Sequence, residues 1–451
     1  MPKYIDDKIV KLDSDIDKIR SRFRMYISYS GDEAALSIFK EIFFNCIDEC
    51  KNPRSPGNKI HIEFDEQTGF ITVEDNGRGI DTTVLEEIFT TLNMGSNIDS
   101  SDKSELKTDI LGTNGTGSLA ICGLGEVTEI KSFRGPSEGI CKILVFNEGV
   151  KVSEETFKCS KDKHGLSVKY KPSQVLGKGT KLNWKDIHEE LLNFQYLNDD
   201  KIKIDSIYFD KKGNSTQEIY KPLPFVDLLD RNNKDTLISQ KYYMQLESND
   251  LSEEYDSTNV KRFLRIDVGF CYNDNSSTPY AISFSNSNNT IDFGDHYEAC
   301  LESLCRYLQM ATKNSMSDKE KDKLDIKWED VKSGLSLVVS MHSNFEQLYT
   351  SQTKHKVSNE DLRKFIIGLF MDELDKYFNK NQSQLRDLIN IVKTNAKARR
   401  ESDKVKNAVV KNNITKWSAY KIKNYDPCAN NGKEYKEIFL IEGDKYNSCV
   451  S

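Results

Sequence analysis

Three side chains able to do chemistry fall on one line early in the chain. Glu41, Asn45 and Asp48 stand at i, i+4 and i+7, the spacing that puts residues on one face of a helix. The run around them, from about Glu33 to Cys50, is apolar at Leu36, Ile38, Phe39, Ile42, Phe43, Phe44, Cys46 and Ile47. A helix apolar on most of its circumference is a buried one, and a carboxylate and an amide on it are costly unless something in a cavity uses them. Two readings stand: a solvent-facing stripe, or a carboxylate beside a metal-ligating amide.

Three other stretches carry chemical capacity. Asp75-Asn76-Gly77-Arg78-Gly79-Ile80 follows an expected strand. It reads either as a plain turn or as a carboxylate that accepts from a ligand donor, with glycines that let ligand and backbone approach. Gly112-Thr-Asn114-Gly115-Thr116-Gly117-Ser118 opens the apolar helix Leu119–Leu124, where free N–H groups and the positive dipole end suit a phosphate. No Gly-Lys-Ser/Thr follows, so it is not a Walker A loop. Thr180, after Gly179 and at an expected strand start, could set its hydroxyl near the ligand of Asp75. Each signal alone is weak.

The elements that must position these residues are legible from pattern. Asp32 is the expected N-cap of the long helix. Ile60, Ile62 and Phe64 alternate with polar residues, Glu66–Gly69 turns, and Phe70–Glu74 returns as a hairpin. Residues 82–94 form a short amphipathic helix, and the polar stretch 95–111 reads as a lid. Strands are expected at 127–133, 140–147 and 166–171.

The chain has 451 residues, with 30% charged, 37% hydrophobic and a net charge of -7. That suits two or three globular domains, no apolar run is long enough for a bilayer, and a wholly basic nucleic-acid coat is excluded. Its ten cysteines form no C-x-x-C pair and read as buried thiols of a reducing, cytoplasmic compartment.

Taken in order, Glu41-x-x-x-Asn45, Asp75-x-Gly77-x-Gly79, Gly112-x-x-Gly115-x-Gly117 and Gly179-Thr180 resemble the four boxes of the GHKL ATPase fold. Gyrase, the large heat-shock chaperones, histidine kinases and MutL repair proteins share that fold. The runs Glu41–Glu49, Ile71–Ile80 and Arg24–Ile27 narrow the resemblance to the ATPase region of type IIA DNA topoisomerases. The resemblance implies ATP and Mg2+ as cofactors. It makes Glu41 the general base toward water and Asn45 the Mg2+ ligand. It gives Asp75 the adenine amino group, and Asp48, Glu49 and Arg78 a supporting charged shell. Gly77, Gly79, Ile80, Gly112, Asn114, Gly115, Thr116, Gly117, Ser118 and Thr180 complete the ATP contacts.

From about 220 to 400 the pattern changes to strands with crossing helices. Arg262–Cys271, Pro279–Phe284 and Gly334–His342 read as strands. The Asn-rich segment 285–296 precedes a helix through Met310, as in the transducer domain of the same family. Gln352-Thr353-Lys354 matches the family's Gln-Thr-Lys loop, which implies that Lys354 reaches the terminal phosphate with Gln352 beside it. Asn359 to about Ser402 reads as one long helix. Ten basic residues lie between Lys393 and Lys423, against Glu401 and Asp403. They read as a solvated tail or as a wall facing DNA phosphates, with Lys397, Arg399, Arg400 and Lys404 as the candidate contacts. Glu442-Gly443-Asp444 resembles the opening of the TOPRIM domain, where Glu442 would help bind Mg2+. The Asp-x-Asp that completes that site is absent, so this chain by itself is not expected to cut DNA.

The expected architecture is α+β. A GHKL (Bergerat) α/β sandwich at 33–218 follows an N-terminal arm at 1–32. A ribosomal-protein-S5-like transducer with a long C-terminal helix spans 219–402, a basic linker 403–433, and the start of TOPRIM 434–451. The expected function is the ATP-driven gate of a type IIA topoisomerase. It would form a homodimer on binding ATP, with Tyr4 of the arm reaching the partner, and would capture a DNA duplex. It would work with a second subunit that carries the rest of TOPRIM and the cleaving tyrosine, without a membrane. The alternative is an ATP-gated DNA clamp or regulatory GHKL protein. A chaperone or mismatch-repair protein fits the pocket but not the Glu442-Gly-Asp stretch.

Overall fold

A computed structural model describes residues 14–27, 29–92, 116–198, 202–231, 236–248, 263–274, 280–343, 347–350 and 354–419. The chain opens with α1 (Asp15–Ser21) and α2 (Arg24–Ile27) and then forms the long helix α3 (Asp32–Lys51). The hairpin follows as β1 (Lys59–Asp65) and β2 (Phe70–Asp75), paired Ile60 to Asp75 through Asp65 to Phe70. Its turn is made by Asp65, whose Oδ1 accepts from Gln67 N at 2.8 Å, and by Gly69 at φ +74°. Next come α4 (Leu85–Thr90), α5 (Gly117–Gly123), β3 (Gly125–Arg134), β4 (Ile140–Asn147), β5 (Val150–Lys158) and β6 (His164–Pro172). Helix α6 (Trp184–Gln195) leads to β7 (Lys203–Phe209) and β8 (Ser215–Tyr220).

These strands form one sheet in the order β5-β4-β3-β6-β2-β1-β7-β8. Strands β1 and β7 run parallel, which requires a crossover. Helix α3 covers the sheet with Ala34, Ala35, Ile38, Phe39, Ile42, Phe43, Cys46 and Ile47, all buried. Phe43 meets Phe194 of α6 edge-on at 5.4 Å. The line of Glu41, Asn45 and Asp48 is left half-buried.

A second unit begins with the short α7 (Leu228–Arg231) and a sheet of β9 (Tyr242–Ser248), β10 (Leu264–Tyr272), β11 (Ala281–Ser285), β12 (Asn288–Asn289) and, after three helices, β13 (Leu335–Ser343). The strand order is β12-β11-β13-β10-β9. The helices are α8 (Asp295–Asn314), α9 (Asp318–Lys323) and α10 (Trp328–Lys332), and α11 (Glu360–Lys380) and α12 (Gln382–Ala419) close the described chain. One face of this sheet packs Ile266, Val268, Phe270, Leu337 and Val339 against Leu304, Phe370, Leu388 and Val392 of the helices. The other face continues the first core, through Leu228 and Leu229 to Cys271 and Val338. The architecture is mixed α and β, as expected.

The structure corrects several local expectations. Asp32 is the first residue of α3, and Gly31 is the N-cap. The Asp32 carboxylate instead accepts from Lys181 N at 2.9 Å and Asn183 Nδ2 at 3.1 Å, tying the helix start to the loop before α6. Thr180 stands in that irregular loop, not at a strand. The expected single helix from Asn359 is two. Asn381, at φ -121° and ψ 52°, ends α11, and α12 then runs to Ala419, into the stretch read as a linker. No glycine or proline between 382 and 419 stops it.

Candidate active site

Glu41 and Asn45 open onto a cavity of about 420 Å³ between the two units. Its first wall is α3, with Glu33, Ser37, Lys40, Glu41, Phe44 and Asn45, together with Tyr26 and Tyr29 ahead of it. Thr116 and Gly117, at the start of α5, close one side. The opposite wall belongs to the second unit: Ser285, Asn286, Asn288, Asn289, Ile291, Tyr349, Lys354 and His355. Lys354 adopts the left-handed backbone region at φ +56°. A non-glycine residue there stores roughly 1–3 kcal/mol of strain, a cost that clusters at ligand sites. Lys40 pairs with Glu190 of α6 at 3.1 Å, and Lys354 brings a cationic side chain to the cavity from the far wall.

One turn further along α3, the helix holds the Asp75 turn. Asp75 Oδ1 accepts from Gly77 N at 2.7 Å and from Leu166 N at 3.4 Å, and only 3% of the residue is exposed. Burial pushes its carboxyl up to about 7, against the Gly77 N–H bond and with the Glu49 charge adding to the rise. Burial by itself would raise Glu49 too. Its bonds to the side chain and backbone of Arg78 outweigh that and hold it below the usual range. Glu49 accepts from Arg78 N at 2.7 Å, Nε at 3.0 Å and Nη2 at 2.8 Å.

Glycine is required at two places around this turn. A Cβ on Gly77 would stand 2.2 Å from Glu49 Cγ and 2.8 Å from Asp75 Oδ1. One on Gly165 would stand 2.0 Å from the Asp75 carbonyl oxygen, and Gly165 has φ +124°. Ile80 is held by Ser132, which accepts from its N–H at 2.9 Å and donates to its carbonyl at 2.6 Å. The turn is thus clamped between α3 and strands β3 and β6.

The structure brings Glu41, Asn45, Thr116, Gly117 and Lys354 to one cavity. Asp48, Asp75, Gly77, Arg78, Gly79, Ile80, Ser118 and Thr180 do not line it. The Thr180 hydroxyl donates to the Gly177 carbonyl at 2.7 Å, so no contact carries it to Asp75. Gly112, Asn114, Gly115, Gln352 and Glu442 lie outside the described residues. Among the candidate DNA contacts, Lys397, Arg400 and Lys404 are exposed. Arg399 is not free for phosphate. It makes a two-pronged ion pair with Asp330, Nε to Oδ1 at 2.6 Å and Nη2 to Oδ2 at 3.0 Å, and Asp330 is 1% exposed. An arginine committed to a buried carboxylate is a packing element. Tyr29, His355, Lys40 and Glu190 were not singled out from sequence, where no motif marks them.

Two family models match the chain: the histidine kinase-, DNA gyrase B- and HSP90-like ATPase over residues 31–183, and DNA gyrase B over residues 224–408. They meet this structure on its first and second sheets respectively. The chain is a type IIA topoisomerase B-like ATPase region.

Within that family it is divergent. It is 25% identical to DNA gyrase B of Thermotoga maritima over 98% of this chain and 68% of the relative. It is 26% identical to the corresponding DNA topoisomerase 4 protein of Staphylococcus aureus over 98% of this chain and 64% of the relative. The chain therefore spans about two thirds of the length of these relatives. Its fold matches the 43K ATPase domain of Thermus thermophilus gyrase B with a TM-score of 0.62 at 20% identity, over 87% of this chain and 98% of that one. It matches the ATPase region of Saccharomyces cerevisiae topoisomerase II with a TM-score of 0.60 at 17% identity, over 85% and 99%. No helix of the described residues is long and apolar enough to cross a membrane.

Proposed function

We propose that this region binds ATP with Mg2+, hydrolyses it, and uses the cycle to close and reopen a gate on duplex DNA in a type IIA topoisomerase. The observation that carries the reading is the shared cavity: Glu41 and Asn45 come from α3, and Lys354 comes from the other unit. Glu41 takes the proton of the attacking water. Lys354 meets the charge that develops on the terminal phosphate and links its presence to the second unit. Asp75 accepts from the adenine amino group, with Gly77, Gly79, Ile80 and the Glu49–Arg78 pair shaping that end. Asp48 adds to the charged shell. Gly112, Asn114, Gly115, Thr116, Gly117 and Ser118 wrap the triphosphate, and Gln352 supports Lys354.

Asn45 fits Mg2+ as a hard oxygen donor beside the phosphates. Among the described residues no group of three His, Cys, Asp or Glu side chains could hold a metal. That suits an ion carried mainly by phosphate and water, with one protein ligand. When bound, Mg2+ would neutralise phosphate charge.

Two copies would close on ATP and hold DNA, with the exposed Lys397, Arg400 and Lys404 facing phosphates. A second subunit would supply cleavage, and Glu442 would belong to its metal site. Light scattering tests the gate: a non-hydrolysable ATP analogue doubles the mass. An unchanged mass in the presence of bound analogue contradicts it.

A further inference from the structure

Lys354 reaches the cavity from a loop strapped to its own unit. Asn288 Nδ2 donates to Lys354 O at 3.4 Å, Asp292 N to His355 O at 3.1 Å, and Asp295 N to Val357 O at 3.0 Å. Among the described residues, one link from this loop to the first unit is made by a side chain. The Tyr29 hydroxyl hydrogen-bonds the His355 imidazole, and the two rings lie 5.2 Å apart at 44°. Tyr29 stands three residues ahead of α3, the helix that carries Glu41. Consecutive residues of an extended strand point to opposite sides. The left-handed backbone of Lys354 lets both Lys354 and His355 line one cavity. The bond that fixes His355 therefore acts on the residue adjoining the ammonium-bearing side chain.

Another junction lies near the chain crossover. There Arg231 of α7 hydrogen-bonds Asn193 and pairs with Glu189 of α6 at 2.6 Å. Among the described residues the units are thus joined by the core that continues through Leu228 and Leu229 to Cys271 and Val338, by these pairs near the crossover, and by the Tyr29–His355 bond at the cavity. A body held only at the crossover could swing the Lys354 loop away from α3. The Tyr29–His355 bond opposes that swing at the point where it would matter.

We propose that Tyr29 and His355 are positioning residues. They latch the Lys354 loop to the ATPase unit, so that the lysine stands ready for the terminal phosphate. This rests on the role of Lys354 given under Proposed function. The latch acts on what distinguishes ATP from ADP, because only ATP offers the group that Lys354 meets.

The test compares wild type, Tyr29→Phe, His355→Gln, Lys354→Ala and the double variant Tyr29→Phe/Lys354→Ala. It reads kcat and KM for ATP and the affinities for ADP and for a non-hydrolysable ATP analogue. Tyr29→Phe keeps the ring and removes the hydroxyl. It is expected to lower kcat about tenfold and to weaken the ATP analogue while leaving ADP affinity unchanged. His355→Gln, whose amide can still meet the hydroxyl, keeps most of the activity. Adding Tyr29→Phe to Lys354→Ala costs nothing more. The latch is overturned if Tyr29→Phe turns over ATP normally while Lys354→Ala is slow. It is also overturned if Tyr29→Phe costs the same factor with or without Lys354, or weakens ADP and the analogue alike. Normal turnover by Lys354→Ala removes the lysine's role itself, and the latch with it.

Discussion

Gly117 lies against the Glu41 carboxylate so closely that a Cβ built on it would stand 2.3 Å from Glu41 Oε2. Glycine inside a helix normally costs about 1 kcal/mol relative to alanine. Here the missing side chain keeps the start of α5 in contact with the acid of α3. Gly117→Ala is expected to displace the carboxylate and cut ATP turnover by about tenfold or more. Stability should change by no more than about 1–3 kcal/mol, the helix gain offsetting part of the overpacking. Turnover and a urea titration on the same variant check both parts.

A second glycine makes a sharper case. Gly77→Ala must push apart Glu49 and Asp75, whose atoms stand 2.2 to 2.8 Å from the added carbon. Loss of about 1–3 kcal/mol is expected from overpacking, with loss of adenine-nucleotide binding. A calorimetric titration with ADP reads the binding without involving the terminal phosphate. Normal ADP affinity in Gly77→Ala would contradict the place given to the Asp75 turn.

Asp75 sets a pH dependence. Its carboxyl is pushed up to about 7 from an ordinary 3.8, burial being the main cause. A protonated Asp75 cannot accept through a charged oxygen, so ATP affinity should rise between pH 6 and 8. Stability runs the other way. The folded chain holds a proton that the unfolded chain loses near 3.8. This contribution is therefore full below that value, falls as pH rises toward 7, and is flat above. In Asp75→Asn both trends from this group disappear, as titrations at several pH values with ADP and with urea would show.

Arg399 and Lys404 should separate cleanly. Arg399→Ala leaves the buried Asp330 carboxylate without its cationic partner, with the Lys327 N–H still donating to it, and is expected to cost about 3 kcal/mol of stability. Arg400→Ala and Lys404→Ala should stay within about 0.5 kcal/mol and instead flatten the salt dependence of DNA binding. Urea titrations and DNA binding at two salt concentrations distinguish the two kinds of residue.

Much of this site is written in local pattern, and the gaps have physical reasons. The stripe of Glu41, Asn45 and Asp48 was legible because helical spacing makes polar residues conspicuous among Ile42, Phe43 and Ile47. The β1–β2 hairpin was legible because Ile60, Ile62 and Phe64 alternate. Strand β5 was missed because it is a sheet edge exposed along nearly its whole length, so no alternation marks it. Thr180 was misplaced because the glycines around it suit a strand entry and a loop equally. Arg399 looked like a DNA contact because its partner Asp330 is 69 residues away, and a basic run does not show which member is already paired. Lys354 could be assigned only through the family loop, since a lysine in a polar segment carries no periodicity. His355 and Tyr29 carried no signal at all. Their meeting depends on how the two units pack.

The central claim is that Glu41 is the base of an ATP-hydrolysing site. The direct measurement is steady-state ATP turnover by wild type and Glu41→Ala, with nucleotide affinity measured on both. Turnover should fall by about a hundredfold or more while affinity for a non-hydrolysable ATP analogue stays within a few-fold. Equal turnover by the two proteins would contradict the assignment of Glu41 and the reading of the cavity built on it.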